Sequence, residues 1–403
     1  MPFRGFNLLA AQAMGISTDS HVVYQPYDLK LYQAFKSWNL NSVIYNVMWY
    51  DIEKDGARYA EYDQALLGLL GEQIDLARAA GLKTFVSSRV SYSVNGVAEP
   101  YWTNTDGYGA DHVCGLAVDH TRPDFPYEST QYAPLRDRYA TFLAMLAKTF
   151  PNSGVCMWHF PYHNWGYYLM NTIRRTNFNL VCSPKWLKAL RNATNQPLIF
   201  VPLKQSMTKP MGQTFPTTGG EFEFLEPYDI PDVIYGVDGF PRMYDSILTS
   251  AVTATDVWNY DKAPIDAAYS LTERWQVLTK KPIVGIELHG LNIHGSLEAM
   301  LRPVRQDRVD LYKAIMEKFQ KNNWNWFYWN YSNVASSYTG FATSPLEKDS
   351  TRENMLFNPE LLNIFKSYGS PSEVATSGIP PLLIGGVLLL GALLVLGGGG
   401  KRG

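Results

Sequence analysis

Residues 42–88 contain the pattern that decides the fold of this chain. They comprise a β-rich run at 42–48 (SVIYNVM), a helical stretch at 62–80 (YDQALLGLLGEQIDLARAA) and a second β-rich run at 82–88 (LKTFVSS). In the helical stretch, apolar side chains recur at helical spacing, at Leu66, Leu69, Leu70, Ile74 and Ala77. Gly81 follows where a helix C-cap is expected. The pattern predicts a strand, a crossover helix and a second, parallel strand.

The same alternation continues along the chain. The predicted strands are Phe3–Leu8, Ser42–Met48, Leu82–Ser88, Gly154–Phe160, Pro197–Leu203, Asp232–Val237, Pro282–Glu287 and Trp324–Asn330. Helical patterns cover Tyr62–Ala80, Leu135–Phe150, Ala263–Thr279, Asp307–Asn322 and Pro359–Tyr368. Strands that alternate with helices in this number predict an α/β fold, a (β/α)8 TIM barrel over residues 1–368. No Gly-rich phosphate loop follows the first strand, which argues against a dinucleotide fold.

Two connections are longer than barrel closure requires. They are Arg89–Tyr132 and Lys204–Pro231, and both follow the carboxyl end of a predicted strand. Barrel enzymes build their sites from the loops at that end. We therefore expect these two segments to wall a cleft.

Composition excludes some classes of function. The net charge is only −2, so no global basic surface for nucleic acid is expected. Aromatic residues are abundant, with 11 Trp, 26 Tyr and 19 Phe, and rings in loops often form surfaces for flat ligands. The three cysteines show neither zinc-ligand spacing nor a disulfide framework. We expect no cofactor and no metal; the Asp- and His-rich run at 106–124 matches no metal-binding motif.

The C-terminal tail carries a second prediction. Residues 379–396 contain no charged or strongly polar side chain, and with the glycines that follow they are long enough to cross a bilayer. The sequence predicts a linker at 369–378, a transmembrane anchor at 379–400 and a basic tail at 401–403. A buried core helix is the alternative for the apolar run.

Orientation of the tail follows from charge. Lys401 and Arg402 favour a cytoplasmic carboxyl terminus, which would place the barrel on the exposed side of the membrane. The first residues lack the apolar stretch of a signal peptide. Tail anchoring, insertion by another route, or membership of a membrane-containing virion would each reconcile these two observations. In the last case, assembly with other membrane or virion proteins is expected.

Several strand motifs resemble clan A glycoside hydrolases, in particular the family 5 group of cellulases and mannanases. Residues 4–8 (RGFNL) are similar to the first strand of that group, and residues 46–83 to its second and third strands. Residues 281–287 (KPIVGIE) resemble the seventh strand, which ends in the catalytic nucleophile, and residues 324–331 (WNWFYWNY) resemble the eighth, whose Trp forms the floor of the sugar site. The resemblance implies a carbohydrate substrate, Glu287 as nucleophile and Trp329 beneath the sugar.

One departure from the family concerns the acid/base. The fourth strand of the family ends in Asn-Glu-Pro, whereas residues 157–161 here read MWHFP. Phe160 therefore stands where the resemblance would place the acid/base Glu, and a phenyl ring transfers no proton. His159 and His163 could transfer a proton, because imidazole titrates near neutrality, and we take His159 as the catalytic candidate. A carboxyl group could instead come from Asp238 after the sixth strand, or from Glu221, Glu223 or Glu226 in the long loop before it. The second-strand Arg of the family is also missing, with Asn46 or Val47 near its place.

These considerations lead to a set of candidate site residues and two functions. The catalytic candidates are Glu287 and His159. The substrate-binding candidates are Trp329, Trp158, Trp49, His163, Tyr235, Asn330 and Asp238. The first function is a membrane-anchored, glycoside-hydrolase-like protein that binds and hydrolyses a polysaccharide or glycan. The second is a carbohydrate-binding or structural surface protein that retains the barrel without the chemistry.

Overall fold

The structure is a computed structural model. It describes residues 1–16, 26–53, 61–89, 133–157, 183–201, 227–237, 263–289, 306–331, 342–343, 356–357 and 359–369. Every structural statement below concerns these residues. The two predicted cleft loops lie outside them except at their ends, as does the predicted anchor at 379–400.

Eight parallel strands close into a barrel in which each strand pairs with its neighbours in chain order and the last pairs with the first. The strands are β1 (Arg4–Leu9), β2 (Ser42–Met48), β3 (Lys83–Arg89), β4 (Gly154–Met157), β5 (Leu198–Phe200), β6 (Val233–Val237), β7 (Ile283–His289) and β8 (Asn325–Tyr331). Two further short strands, β9 (Ala342–Thr343) and β10 (Leu356–Phe357), form a separate antiparallel pair. The predicted eight-stranded barrel is therefore confirmed.

Helices lie between most consecutive strands. They are α1 (Ala10–Ala13), α2 (Leu29–Ser37), α3 (Trp49–Ile52), α4 (Gln64–Ala79), α5 (Ala133–Thr149), α6 (Ser183–Ala193), α7 (Ala263–Thr279), α8 (Gln306–Lys321) and α9 (Pro359–Gly369). Asp63 is the N-cap of α4, and its carboxylate accepts hydrogen bonds from the amides of Ala65 and Leu66 at 3.0 Å. Beyond its other end, Gly81 adopts φ +82°, the left-handed conformation predicted for the cap.

Side chains alternate between two apolar layers. Those that point into the barrel include Ile44, Phe85, Cys156, Ile199, Ile234, Val284, Ile286 and Phe327. Their neighbours along the strands point outward and pack against the helices, as Phe6, Val43, Tyr45, Val86 and Tyr235 do. Because the strands are covered on both faces, their sequences are apolar almost throughout rather than alternating.

The last helix closes the ring against the first strand. Phe365 of α9 packs edge to face on Phe6 and Tyr328, with ring centroids 5.9 and 4.8 Å apart. At the end of α9 the guanidinium of buried Arg4 donates to the carbonyl oxygen of Gly369 at 2.7 Å. These contacts attach the C-terminal end of the described chain to the N-terminal end of β1.

No helix among the described residues combines the length and hydropathy needed to cross a bilayer. The apolar run that carries the anchor prediction lies outside those residues, so the anchor stays a prediction.

Candidate functional site

The carboxyl ends of the eight parallel strands meet at one face of the barrel, which we call the mouth. The α/β-barrel architecture places binding and catalytic groups at this face. Three strands bring buried polar side chains to the inside of the barrel near this face: Asn7 from β1, Asn46 from β2 and Ser87 from β3. All three are buried, and Asn46 pairs in register with Ser87.

The Asn7 side chain ties β1 to β7. Its Nδ2 donates to the carbonyl oxygen of Ile286 at 2.6 Å. Ile286 immediately precedes the candidate nucleophile Glu287. Between Gly285 and Leu288 the pairing of β7 with β8 shifts register, so the backbone of Glu287 lies within a bulge. Bulges change the direction in which a strand presents its side chains and are frequent beside active sites.

Two buried acceptors beneath the mouth have no hydrogen-bond partner among the described residues. Asn46 donates through Nδ2 to the carbonyl oxygen of Leu8 at 3.2 Å. Within the described part of the chain, however, no donor lies within hydrogen-bond distance of Oδ1 of either Asn7 or Asn46. A buried acceptor without a partner costs about 1–3 kcal/mol. The binding of a ligand that donates a hydrogen bond to either oxygen would therefore be favourable at the mouth.

Cys156 of β4 borders this polar group, in register with Ser87. Its thiol is free and fully buried, and burial raises its pKa well above the usual value. A buried neutral thiol is a poor nucleophile. Cys156 is therefore a packing residue of the barrel interior.

The catalytic and sugar-stacking candidates lie at strand ends. Glu287 belongs to β7, and Trp329 and Asn330 belong to β8; for these three the description extends to the backbone only. Trp158, His159, His163 and Asp238 lie outside the described residues. In the sequence, Trp158 and His159 directly follow the last residue of β4, and Asp238 directly follows the last residue of β6.

Trp49 corrects a prediction. Its side chain is buried, stacks on Phe142 of α5 with ring centroids 5.6 Å apart, and donates through Nε1 to the Glu53 carboxylate at 2.6 Å. The ring belongs to the layer between barrel and helices. It is a core residue and not part of a sugar-binding surface.

Tyr235 corrects a second one. It points outward from β6, where its ring packs on Trp275 of α7 at a centroid distance of 5.0 Å. Its hydroxyl accepts a hydrogen bond from the amide of Tyr228 at 2.8 Å, and burial raises the pKa of Tyr235 to about 12. The side chain is therefore structural, because it lies on the face of the strand away from the barrel interior.

Sequence reasoning passed over the roles of Asn7 and Ser87. The signal that could have found them is a polar residue within an apolar strand, at a position whose side chain points inward. Ser87 lies two residues after inward-facing Phe85 in β3, and Asn7 pairs in register with inward-facing Ile44 of β2. Among the described residues, no group of three or more His, Cys, Asp or Glu side chains could hold a metal ion. The Asp- and His-rich run at 106–124 lies outside them.

The chain superimposes on solved structures of a xyloglucanase, an endoglucanase and Cel5A. A family 5 xyloglucanase from Paenibacillus pabuli superimposes with a TM-score of 0.61 at 13% identity, covering 91% of this chain and 98% of that one. A broad-specificity endoglucanase from Bacteroides salanitronis gives 0.59 at 13% identity, covering 91% and 92%. Cel5A of Thermotoga maritima, solved with cellobiose, gives 0.58 at 14% identity, covering 90% and 97%.

The fold is that of a clan A, family 5-like glycoside hydrolase. At the sequence level no protein-family model matches the chain, and no curated protein matches it. At these identities the likeness establishes the architecture. Activity has to be argued from the residues of this chain.

Proposed function

We propose that this protein binds a polysaccharide at the mouth of its barrel and cleaves it with Glu287 as the reacting carboxylate, while a C-terminal segment tethers it to a membrane. The observation that carries the proposal is the polar group beneath the mouth. Asn7 and Asn46 each present a buried oxygen without a described donor. Sugar hydroxyls are donors of the required kind, and the structural neighbours include cellulases and a xyloglucanase.

Position supports a catalytic role for Glu287. It lies two residues before the end of β7, next to the bulge that Asn7 holds through Ile286. A retaining glycosidase requires a second carboxyl group about 5–5.5 Å from the nucleophile. The residues after β4 include no carboxylate near the position that the family uses. Proton transfer is therefore assigned to His159. Asp238, which directly follows the last residue of β6, is the alternative acid.

One observation favours a second function. β4 ends at Met157 and is followed in sequence by Trp158, His159 and Phe160, which offer rings for stacking but no carboxylate. A protein that binds polysaccharide without cleaving it would need only these rings and the polar side chains beneath the mouth, Asn7, Asn46 and Ser87, which we call the polar floor. In this alternative Trp158, His163, Trp329 and Asn330 bind the sugar and Glu287 serves as a hydrogen-bond acceptor.

The tether is argued from the sequence. Residues 379–400 are apolar for long enough to span a bilayer, and 369–378 are small and polar. With Lys401 and Arg402 on the cytoplasmic side, the barrel would lie at a cell or virion surface, where polysaccharide is accessible.

Purified full-length chain in detergent provides the test. Binding is measured by affinity electrophoresis against β-glucan, mannan and xyloglucan, and cleavage by reducing-sugar release. The variants are Glu287→Gln, His159→Gln and, as a matched control, Glu72→Gln on the exposed surface of α4. The proposal expects Glu287→Gln to abolish cleavage, with binding retained and the control unchanged. Binding without cleavage by the wild type selects the second function, and absence of binding to all three polymers overturns both.

A further inference from the structure

The face of the barrel opposite the mouth is basic. Because the helices run antiparallel to the strands, their last turns lie at the amino ends of the strands, on what we call the base. Basic residues occupy the last turns of most of the long helices or the positions just after them: Lys36, Arg78, Lys148, Arg191, Lys280, Lys281, Lys321 and Lys366. Lys83, the first residue of β3, adds an exposed cation at the same level.

Three of these cations surround the point at which the described chain ends. We call Lys36, Lys83 and Lys366 the exit cluster, and all three are exposed. Lys36 donates to the carbonyl oxygen of Gly81 at 3.3 Å. The turn that precedes β2 links the other two, since Asn39 donates to the carbonyl oxygen of Lys366 at 2.8 Å and the Lys83 amide donates to that of Asn41 at 2.8 Å.

Gly369 leaves the fold beside this cluster. Arg4 holds its carbonyl oxygen at the amino end of β1, and a Cβ on Gly369 would lie 2.9 Å from Asn39. The α9 helix therefore ends at the base and not at the mouth. If residues 370–378 form a flexible linker, their root-mean-square reach is about 15–18 Å and their limit about 30 Å. The tether would keep the base closer to the bilayer than any other face.

Acids reduce the positive charge of the base only in part. Glu273 pairs with Lys318 at 3.1 Å and Asp75 with Arg78 at 3.6 Å. Exposed Glu317, near the end of α8, accepts a hydrogen bond from Tyr368 of α9 at 3.4 Å and is the acid beside the exit cluster. Asp229 and Asp232 are exposed before β6, on another side of the barrel. Cations at helix ends also interact favourably with the helix dipole, which explains their presence without any partner. Lys83 begins a strand, so the dipole does not account for it.

We infer that the base of the barrel docks on the anionic headgroups of the membrane that holds the tether, so that the mouth faces away from the bilayer. The inference rests on the proposed tether. The proposed tether puts the barrel on the exposed side of the membrane, so the inference requires anionic headgroups in the leaflet that faces the barrel. Basic side chains are attracted to such a leaflet within about one Debye length, roughly 8 Å at physiological ionic strength. A short linker brings the exit cluster into that range. The mouth then opens toward polymer in solution.

Hydrogen exchange on the full-length chain reconstituted in vesicles tests the inference. One set of vesicles contains phosphatidylcholine alone, and the other contains about 30% phosphatidylserine. The readout is exchange in peptides that cover 36–42, 80–84 and 364–369. We expect at least about a twofold slowing in the anionic vesicles, reversed by high salt. Peptides covering the carboxyl ends of β1 and β2 should not change.

Charge reversal supplies matched variants. Lys83→Glu/Lys366→Glu removes the lipid-dependent slowing, whereas Lys188→Glu/Lys313→Glu, with the same change in charge on exposed helix positions away from the base, keeps it. Equal exchange in both lipids, slowing at the mouth, or equal loss in both variants overturns docking. A thermal melt of each variant distinguishes loss of docking from loss of fold.

Carbonate extraction separates this inference from the tether. Carbonate-resistant attachment without charge-dependent slowing refutes docking and leaves the tether standing. Salt-sensitive attachment to anionic vesicles that carbonate removes refutes the tether and keeps the basic face. Absence of attachment to either lipid refutes both.

Discussion

The Asn7 amide and the Ile286 carbonyl oxygen, 2.6 Å apart, connect two strands that do not pair with each other. β8 lies between them, so the Asn7 side chain spans the inside of the barrel to reach β7. The carbonyl it reaches belongs to the residue before Glu287, inside the irregular pairing of β7 with β8. A backbone that leaves the regular ladder loses hydrogen bonds, and a side-chain donor can replace one of them.

Replacing Asn7 should therefore affect stability and site together. Asn7→Ala leaves the buried Ile286 oxygen without this donor, and we expect the free energy of unfolding to fall by about 1–3 kcal/mol. Polysaccharide cleavage or binding should weaken as well, since the strand that carries Glu287 is released. Urea denaturation and affinity electrophoresis measure the two effects.

Asn325 provides the matched control. It donates to the carbonyl oxygen of Ile283 at 2.7 Å, which holds the same strand at its opposite end. Asn325 Oδ1 also accepts from the amide of Phe3 at 2.6 Å, so Asn325→Ala should lower the free energy of unfolding at least as much as Asn7→Ala, and it should leave polysaccharide affinity unchanged. Equal losses of affinity in both variants would show that Asn7 has no special relation to the site.

The sequence was sufficient for the barrel because eight strand patterns are visible and helical patterns follow five of them. All eight strands lie within three residues of their predicted starts, and the helix at 263–279 has its predicted bounds. Strands such as SVIYNVM are apolar on both faces, so alternation could not tell which side chains point inward. For this reason the sequence assigns Tyr235 to the site, although its ring belongs to the outer layer. Trp49 is assigned to the site because it follows the predicted end of the second strand, but it begins α3 and packs in the same outer layer.

The polar floor could not be predicted for a related reason. Asn7 and Asn46 are isolated polar residues in apolar runs, which is visible in the sequence, but their common direction depends on register. The bulge in β7 depends on the pairing with β8, which no local pattern encodes. The replacement of the acid/base Glu by Phe160 stays a prediction.

Two glycines should respond oppositely to alanine. A Cβ on Gly5 would collide with the carbonyl oxygen of Ser42, a backbone atom that cannot move without breaking the β1–β2 pairing. We expect Gly5→Ala to lower the free energy of unfolding by about 4 kcal/mol or more. Gly68, in the middle of α4, has nothing within 4 Å of its Cβ position, and Gly68→Ala should stabilise by about 0.5–1 kcal/mol. Chemical denaturation measures both, and a tolerated Gly5→Ala would contradict the close approach of β1 and β2.

Trp49→Phe tests the assignment of Trp49 to the core. The change removes the donor that Glu53 accepts and keeps an aromatic ring against Phe142. We expect a loss of about 1–3 kcal/mol in unfolding free energy, because a hydrogen bond to a buried carboxylate is removed. Polysaccharide affinity of the folded variant should equal that of the wild type. A selective fall in affinity at unchanged stability would restore Trp49 to the binding surface.

Tyr235 should contribute to stability in a way that depends on alkaline pH. Its folded-state pKa of about 12 exceeds the ordinary value of about 10, so the unfolded chain loses the proton first. The contribution of Tyr235 to the free energy of unfolding is fully present below pH ~10 and is lost as the pH rises toward 12. The stability difference between wild type and Tyr235→Phe should therefore narrow from pH 9 to the highest pH at which both fold, by about 1.4 kcal/mol per pH unit above 10. A difference that stays constant with pH would mean that the hydroxyl titrates normally.

Arg4 should control the attachment of α9, and with it the direction in which the tail leaves. Its buried guanidinium donates to the carbonyl oxygen of Gly369, and burial lowers its pKa without a described carboxylate partner nearby. Arg4→Met keeps the apolar stem of the side chain and removes the hydrogen-bond donor. Hydrogen exchange in α9 should therefore accelerate by about tenfold or more, because a hydrogen bond from a charged group contributes about 1.5–3 kcal/mol. Asn39→Gly removes the exposed hydrogen bond to Lys366 while tolerating the positive φ of that position, and it should accelerate exchange much less. If both variants loosen α9 equally, the helix is held by its aromatic packing on Phe6 and Tyr328, and Arg4 does not set the exit of the chain.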